Sequence, residues 1–217
     1  MNEQNAKLDS NNVKRWLSIM TRMTGEERKK VLIKSAIQVF SEENYRAAKV
    51  ADIAAKANVT EPVVYKHFSS KKNLYLEVLT LIMEKTMKRF QDVTAKSMNP
   101  HEKMELIIKE HSTMIHVFRQ ELKLEFQAVS EIDDPEVKEI IATGYRSSFK
   151  LIEDVLKEGM DQGYFRGDIN PSFQAKLFVG HFIHLSSYYL AEVLEDDYAN
   201  QLFSFYLHGI LNHSREK

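Results

Sequence analysis

The sequence predicts an all-α chain, with a small three-helix unit carrying a helix-turn-helix ahead of a larger helical domain. Three observations carry that prediction. Glycine and proline are scarce, 7 and 4 in 217 residues, too few for a loop-rich β fold or a Gly-rich nucleotide site. Long stretches consist of Ala, Leu, Glu, Lys, Ile and Met, which favour helix. Apolar residues recur at three- and four-residue spacing. The length allows a sizeable core. No run of about 18 apolar residues occurs, so no membrane span is expected, and no charged-then-apolar leader suggests export. Cysteine is absent. That excludes disulfides and thiolate metal sites, and is compatible with the cytoplasm.

The elements follow in order. Residues 1–23 form an N-terminal extension, polar at first, then with Val13, Trp16, Leu17 and Met20 at helical spacing. It is either a tail with one short docked helix or an arm whose Lys14, Arg15 and Arg22 touch phosphates. Thr24 and Glu27 make a capping box that starts the first firm helix near Gly25, with Leu32, Ala36 and Phe40 as its buried stripe. Val50, Ile53, Ala54 and Ala57 give a second, short helix its apolar face. Thr60 is a good N-cap for a third, with Glu61 and Pro62 in its first turn.

A long helix then runs from about Lys71 to Lys96. Asn99-Pro100 opens the next, with the stripe Met104, Ile107, His111, Met114 and Phe118. Asp134-Pro135 opens another, ending around Gly159 to Gly163. Asn170-Pro171 starts the penultimate helix, and Asp196-Asp197 separates it from the last.

The formal net charge of −1 conceals a division. Residues 1–75 carry 14 Lys+Arg against 8 Asp+Glu, whereas the remainder carries 16 against 23. A basic first third on an acidic remainder suits an electrostatic footprint for DNA joined to a second domain.

Residues 50–57 and 61–67 are joined by only a few residues around Asn58 and Val59. So short a turn makes the two helices cross steeply, with Val59 plugging their shared core. The start of the second helix then offers backbone amides to phosphate, and Lys49, Tyr65, His67 and Lys71 add side-chain donors. Sequence would be read by Lys66 on guanine, Glu61 on a cytosine amino group, and Pro62 or Val63 against a thymine methyl. Ala51 and Thr60 complete the expected surface. The alternative is ordinary packing, with Tyr65 and Phe68 in the core.

The pattern resembles the TetR family of bacterial transcriptional regulators. It is carried by Val39-Phe40, Asn44-Tyr45, Val50-x-Asp52-Ile53-Ala54, Ala57-x-Val59-Thr60, Val64-Tyr65-x-His67-Phe68 and Ser70-Lys71-x-x-Leu74. So many spaced matches are specific. The resemblance implies a DNA-binding domain at 24–72, with helix 61–67 in the major groove and Tyr65, His67 and Lys71 on phosphates. Two subunits would bind a palindromic operator, about 34–36 Å between recognition helices. The family usually has Gly where Asn44 and Asn58 stand, and Asn tolerates left-handed backbone. It also usually has Ser or Thr at Ala48 or Lys49, and Ala48 cannot cap.

Residues 73–217 are expected to bind an effector and form the dimer. The segment 170–194 is apolar on two stripes, Phe178, Phe182, Leu185 and Tyr189, and beside them Leu177, His181, His184, Tyr188 and Ala191. A helix apolar nearly all round is buried between two surfaces. With the last helix it suits a four-helix dimer interface, for which Phe182, Leu185, Tyr189, Leu202, Phe205 and Tyr206 are the candidates. The resemblance further implies an effector cavity. Candidates for its lining are Phe90, Met104, Ile107, His111, Met114, Phe118, Phe126, Phe149, Ile152, Phe178, His181 and His184, a set suited to a largely apolar small molecule. His111, His181 and His184 are satisfied core residues, pocket anchors or metal ligands.

No catalytic residue, metal site or cofactor is expected. The competing functions are a homodimeric repressor released by an effector, an architectural or recruiting DNA-binding protein without a pocket, and a helical metal-dependent enzyme. The third lacks Glu-x-x-His or His-Glu-x-x-His spacing.

Overall fold

The computed structural model describes residues 23–212; the proposed phosphate-touching arm, with Lys14, Arg15 and Arg22, lies outside them. Nine helices are present among the described residues: α1 (Gly25–Ala47), α2 (Val50–Lys56), α3 (Glu61–His67), α4 (Lys71–Thr94), α5 (Pro100–Val117), α6 (Arg119–Val129), α7 (Pro135–Asp161), α8 (Pro171–Leu190) and α9 (Tyr198–Ile210). The chain divides into two compact units between Val78 and Leu79, inside α4. No helix among the described residues is long and apolar enough to cross a membrane.

Helix starts follow the sequence signals. Thr24 Oγ1 accepts from the Glu27 amide at 3.2 Å while Glu27 accepts from the Thr24 amide at 2.8 Å, closing the expected box. Asn99 and Glu102 form a second such box, and the Asp134 and Asn170 side chains cap α7 and α8. Thr60 departs from expectation. It stands at the N-cap of α3, but its hydroxyl makes no capping bond.

The helix opened by Pro100 breaks at Phe118 (φ −115°, ψ 43°), which ends α5 and starts α6. No Gly or Pro marks that break, and the spacing of Met114 and Phe118 runs across it. Phe118 is half-buried beneath the Arg89 guanidinium, 4.5 Å from its ring centre.

In the first unit, Leu32, Ala36, Phe40, Ile53, Ala54, Val64, Phe68 and Leu74 are almost wholly buried. The second unit packs around Phe178, whose ring lies 4.8 Å from Phe182, 5.4 Å from Phe203 and 5.2 Å from Tyr206. Lys103 is buried there and donates two hydrogen bonds to the Glu158 carboxylate, at 3.0 and 2.8 Å. An antiparallel bridge joins Phe165 to Leu211, with Arg166 N–H on Ile210 C=O (2.9 Å) and Asn212 N–H on Tyr164 C=O (3.0 Å).

Two stability outcomes follow from this packing. A Cβ on Gly159 would stand 2.0 Å from the buried Phe165 ring. Gly→Ala inside a helix ordinarily stabilises by about 1 kcal/mol; Gly159→Ala should instead destabilise by about 1–3 kcal/mol in urea unfolding, because the ring has nowhere to go. Glu125 keeps partial exposure, yet burial of its carboxyl, with Glu121 adding repulsion, pushes its pKa up to about 7 from 4.5. An acid raised this way supports the fold below about pH 4.5 and loses that support as pH rises through about 7. Glu125→Gln should therefore melt above wild type at pH 8, with the gap closing by about pH 5.

Candidate nucleic-acid interface and effector domain

The helix pair α2–α3 is held by its turn. Asn58 adopts φ 53°, with its amide on Ala55 C=O at 3.0 Å and the Val59 amide on Ala54 C=O at 2.9 Å. These two bonds satisfy carbonyls at the end of α2 and turn the chain sharply, the closure expected where a left-handed residue follows a helix. Val59 is half-buried over the pair, while Val64 and Phe68 are buried beneath α3.

That burial fixes what α3 shows to solvent. Glu61, Pro62, Tyr65 and Lys66 are exposed, and Val63 and His67 half-buried. Tyr65 is 48% exposed whereas Phe68 is 1% exposed, so the packing alternative is wrong for Tyr65 and right for Phe68. Ala51 and Thr60 are also exposed. Lys49 is the N-cap of α2 and provides no side-chain cap, so the cap missing at Ala48 is not replaced. Lys49 and Lys66 make no ion pair among the described residues. The Tyr65 phenol, the Lys66 ammonium and the His67 imidazole on α3, with the Lys49 ammonium at the start of α2, make a donor set suited to phosphate oxygens and base edges.

Lys71 is placed differently from a free phosphate anchor. Its Nζ donates to Ala48 C=O (2.9 Å) and Arg46 C=O (3.3 Å), and sits 4.8 Å from the centre of the Tyr45 ring. Tyr45 stacks on Tyr75 at 4.4 Å. An ammonium has three donors, so one N–H remains for a phosphate. The contribution of Tyr45 was not anticipated, although Asn44-Tyr45 stood in the motif. Asn44 itself lies at φ 65°, ψ 167° rather than in the left-handed helical region, and its Oδ1 compensates by accepting from the Arg46 and Ala47 amides at 3.0 and 3.1 Å.

In the second unit the two stripes of α8 face opposite ways to expectation. Phe182 and Leu185, expected at a subunit interface, are 7% and 0% exposed inside the chain's own core, and Tyr206 is 5% exposed with its hydroxyl on Gln174 C=O. The part of that stripe made of aromatic and aliphatic carbon alone, Phe178, Phe182 and Leu185, turns inward, while Tyr189, which carries a hydroxyl, stays half-buried. Tyr189 and Leu202 are half-buried, and Phe205 is 82% exposed. The open stripe comprises Phe173, Leu177, Gly180, His184 and Tyr188, a helical face at three- and four-residue spacing. His184 Nε2 lies 3.0 Å from the Tyr198 hydroxyl, which joins this face to the start of α9.

Of the residues proposed to line a cavity, Phe90, Met104, Ile107, Ile152 and Phe178 belong to the close-packed core, with Met114 and Phe149 packed against it. Phe126 is half-buried on α6. A groove of about 350 Å³ between α5 and α9 is lined by His101, Glu105, Ile108, Asn200, Ser204 and His208 among others, and by none of the proposed residues. His181 Nδ1 meets its own helix at Leu177 C=O (2.6 Å). His111 is buried, and burial holds its imidazole at a pKa of about 3. Among the described residues no three His, Asp or Glu side chains converge as a metal site requires.

The comparisons agree on the family. Residues 32–78 match the model of bacterial regulatory proteins of the tetR family, and residues 77–193 match that of the YsiA-like protein C-terminal region. The HTH-type transcriptional repressor KstR2 of Mycobacterium tuberculosis is 28% identical over 154 residues, 70% of this chain and 76% of that protein. Its solved structure, described as a ketosteroid transcriptional regulator, superposes with a TM-score of 0.68 over 87% of this chain and 97% of that one, at 22% identity. The regulator FadR of Bacillus subtilis, solved with stearoyl-CoA, gives 0.70 over 83% and 98% at 18% identity. A regulator from Saccharomonospora viridis, solved with choline, gives 0.76 over 86% and 98% at 19% identity. With both models matched across most of its length, this chain belongs to the TetR family of bacterial regulatory proteins, and is a DNA-binding transcriptional regulator rather than an enzyme.

Proposed function

We propose that the protein is a homodimeric repressor that holds a palindromic operator in the cytoplasm and is released by a small, largely apolar effector. Residues 24–72 serve as the DNA-binding head and residues 73–217 bind the effector and form the dimer, with residues 1–23 as an N-terminal extension. The observation that carries the reading is the exposed end of α3, where Tyr65 and Lys66 stand clear of a buried Val64 and Phe68. Tyr65, His67 and the remaining Lys71 N–H hold phosphates, while Glu61, Pro62, Val63 and Lys66 meet base edges. A relative named as a repressor supports the sign of regulation, and neighbours solved with stearoyl-CoA and choline support small-molecule control.

Dimerisation is assigned to the open apolar face, Phe173, Leu177, Gly180 and Tyr188 on α8 with Phe205 on α9. Large apolar side chains left exposed on neighbouring helices in this way are suited to an interaction surface. A two-fold axis through it would bring the same helices of two chains together. Release requires the effector to bind the DNA-incompetent state better than the competent one; equal affinity for both would release nothing.

Two measurements test this. Anisotropy on the DNA flanking the gene should show Tyr65→Ala and Lys66→Ala binding about tenfold more weakly, with unchanged melting temperature and, for Lys66→Ala, relaxed discrimination between operator and unrelated DNA. Lys71→Ala should lose both affinity and melting temperature, since two backbone carbonyls lose their donor. Undiminished binding by Tyr65→Ala and Lys66→Ala would remove the assigned face. In light scattering, wild type should run as a dimer, with Leu177→Glu and Phe205→Glu as folded monomers; dimers in both variants would move the interface elsewhere.

A further inference from the structure

We propose that His111 is the polar anchor of the effector site, and that the effector presents to it an uncharged oxygen, a hydroxyl or a carbonyl, on an otherwise apolar body. The proposal rests on the effector-released repressor described above.

His111 lies on α5 and is 7% exposed. Its ring lies flat on Phe182, with centroids 3.9 Å apart and planes 2° from parallel. Nε2 is 3.2 Å from Ser186 Oγ. Nδ1 is fully enclosed and has no hydrogen-bond partner. The other two histidines of this region differ: His181 meets Leu177 C=O and His184 meets the Tyr198 hydroxyl. A buried ring nitrogen left unmet is costly, and in a folded protein such an atom is completed by a bound group or an enclosed water.

The chemistry of that group follows from the ring. If the Ser186 hydroxyl donates to Nε2, Nδ1 carries the proton and needs an acceptor. If Nε2 donates to Ser186, Nδ1 is an acceptor and needs a donor. A hydroxyl satisfies either tautomer and a carbonyl satisfies the first. An anion fits neither well, because burial keeps His111 neutral and the buried cation on the same helix, Lys103, is engaged by Glu158. The ring is flanked along α5 by the buried Ile107 and Ile115, and Phe182 continues into Phe90, Phe178 and Phe203. The rest of the molecule must therefore be apolar.

The test uses the full chain with four probes of equal length, 1-decanol, 2-decanone, decane and decanoate. In thermal-shift titrations the alcohol and ketone should bind about tenfold more tightly than the alkane and the carboxylate. The ¹⁵N resonance of His111 Nδ1 should move with decanol and stay fixed with decane. His111→Phe combined with Ser186→Ala keeps the ring on Phe182, removes both nitrogens without stranding the Ser186 hydroxyl, and should melt at or above wild type, with the preference for oxygen gone. A lower melting temperature in this double variant would mark the ring nitrogens as structural and overturn the proposal. So would equal binding of decanol and decane by wild type, a fixed ¹⁵N resonance, or no binding of either oxygenated probe. A gel shift on the flanking DNA separates the two levels. Decanol that binds through His111 without releasing DNA leaves the anchor standing and defeats effector release. Release by decanol that is undiminished in the double variant does the reverse.

Discussion

Two seven-residue helices cannot hold themselves in water, since isolated helices below about 12–15 residues are marginal. Everything the head offers to DNA therefore depends on how α2 and α3 are clamped together. The clamp is the left-handed Asn58, whose amide and that of Val59 close onto the last carbonyls of α2. Beneath it, Ile53, Ala54, Val64 and Phe68 supply the apolar burial. With these four residues committed to that burial, the identity of the outward residues is a geometric consequence. A second clamp acts at the other end of α2, where Lys71 supplies donors to Arg46 and Ala48 carbonyls that precede a helix with no side-chain cap. The same lysine thus has a structural task inside the chain and a donor to spare outside it.

The head was legible because its determinants are local. Turn residues, caps and buried positions lie within a few residues of one another, so their spacing encodes the geometry. Even there, two details escaped. Asn44 takes an extended ψ with positive φ, relieved by its own side chain. Lys71 points at carbonyls rather than only at solvent, which spacing along one helix cannot reveal.

The second unit was legible in outline and not in facing. Helix starts at Pro100, Pro135 and Pro171 were marked by Asx-Pro pairs, and the structure has helices there. The break at Phe118 was not marked, because no helix-breaking residue occurs and an aromatic under Arg89 absorbs the turn. On α8 both stripes are apolar enough to be buried, so periodicity identifies two faces without ranking them. What ranks them is polarity at a few positions: His184 and Tyr188 accompany the open face, while Phe178, Phe182 and Leu185 go inward. The interior is not wholly apolar, and His111 with Ser186 is a polar pair that the stripe alone did not distinguish from core.

The bridge between Phe165 and Leu211 matters for the order in which the chain is made. Synthesis delivers Phe178 and Phe182 well before Phe203 and Tyr206, the rings that cover them. Until α9 has formed and the Tyr164–Asn212 and Arg166–Ile210 bonds have closed, a strip of aromatic surface on α8 stands uncovered. A chain cut short before Tyr198 would therefore leave that strip uncovered, and the fold is sealed only when the residues at the end of α9 clip onto the loop behind α7.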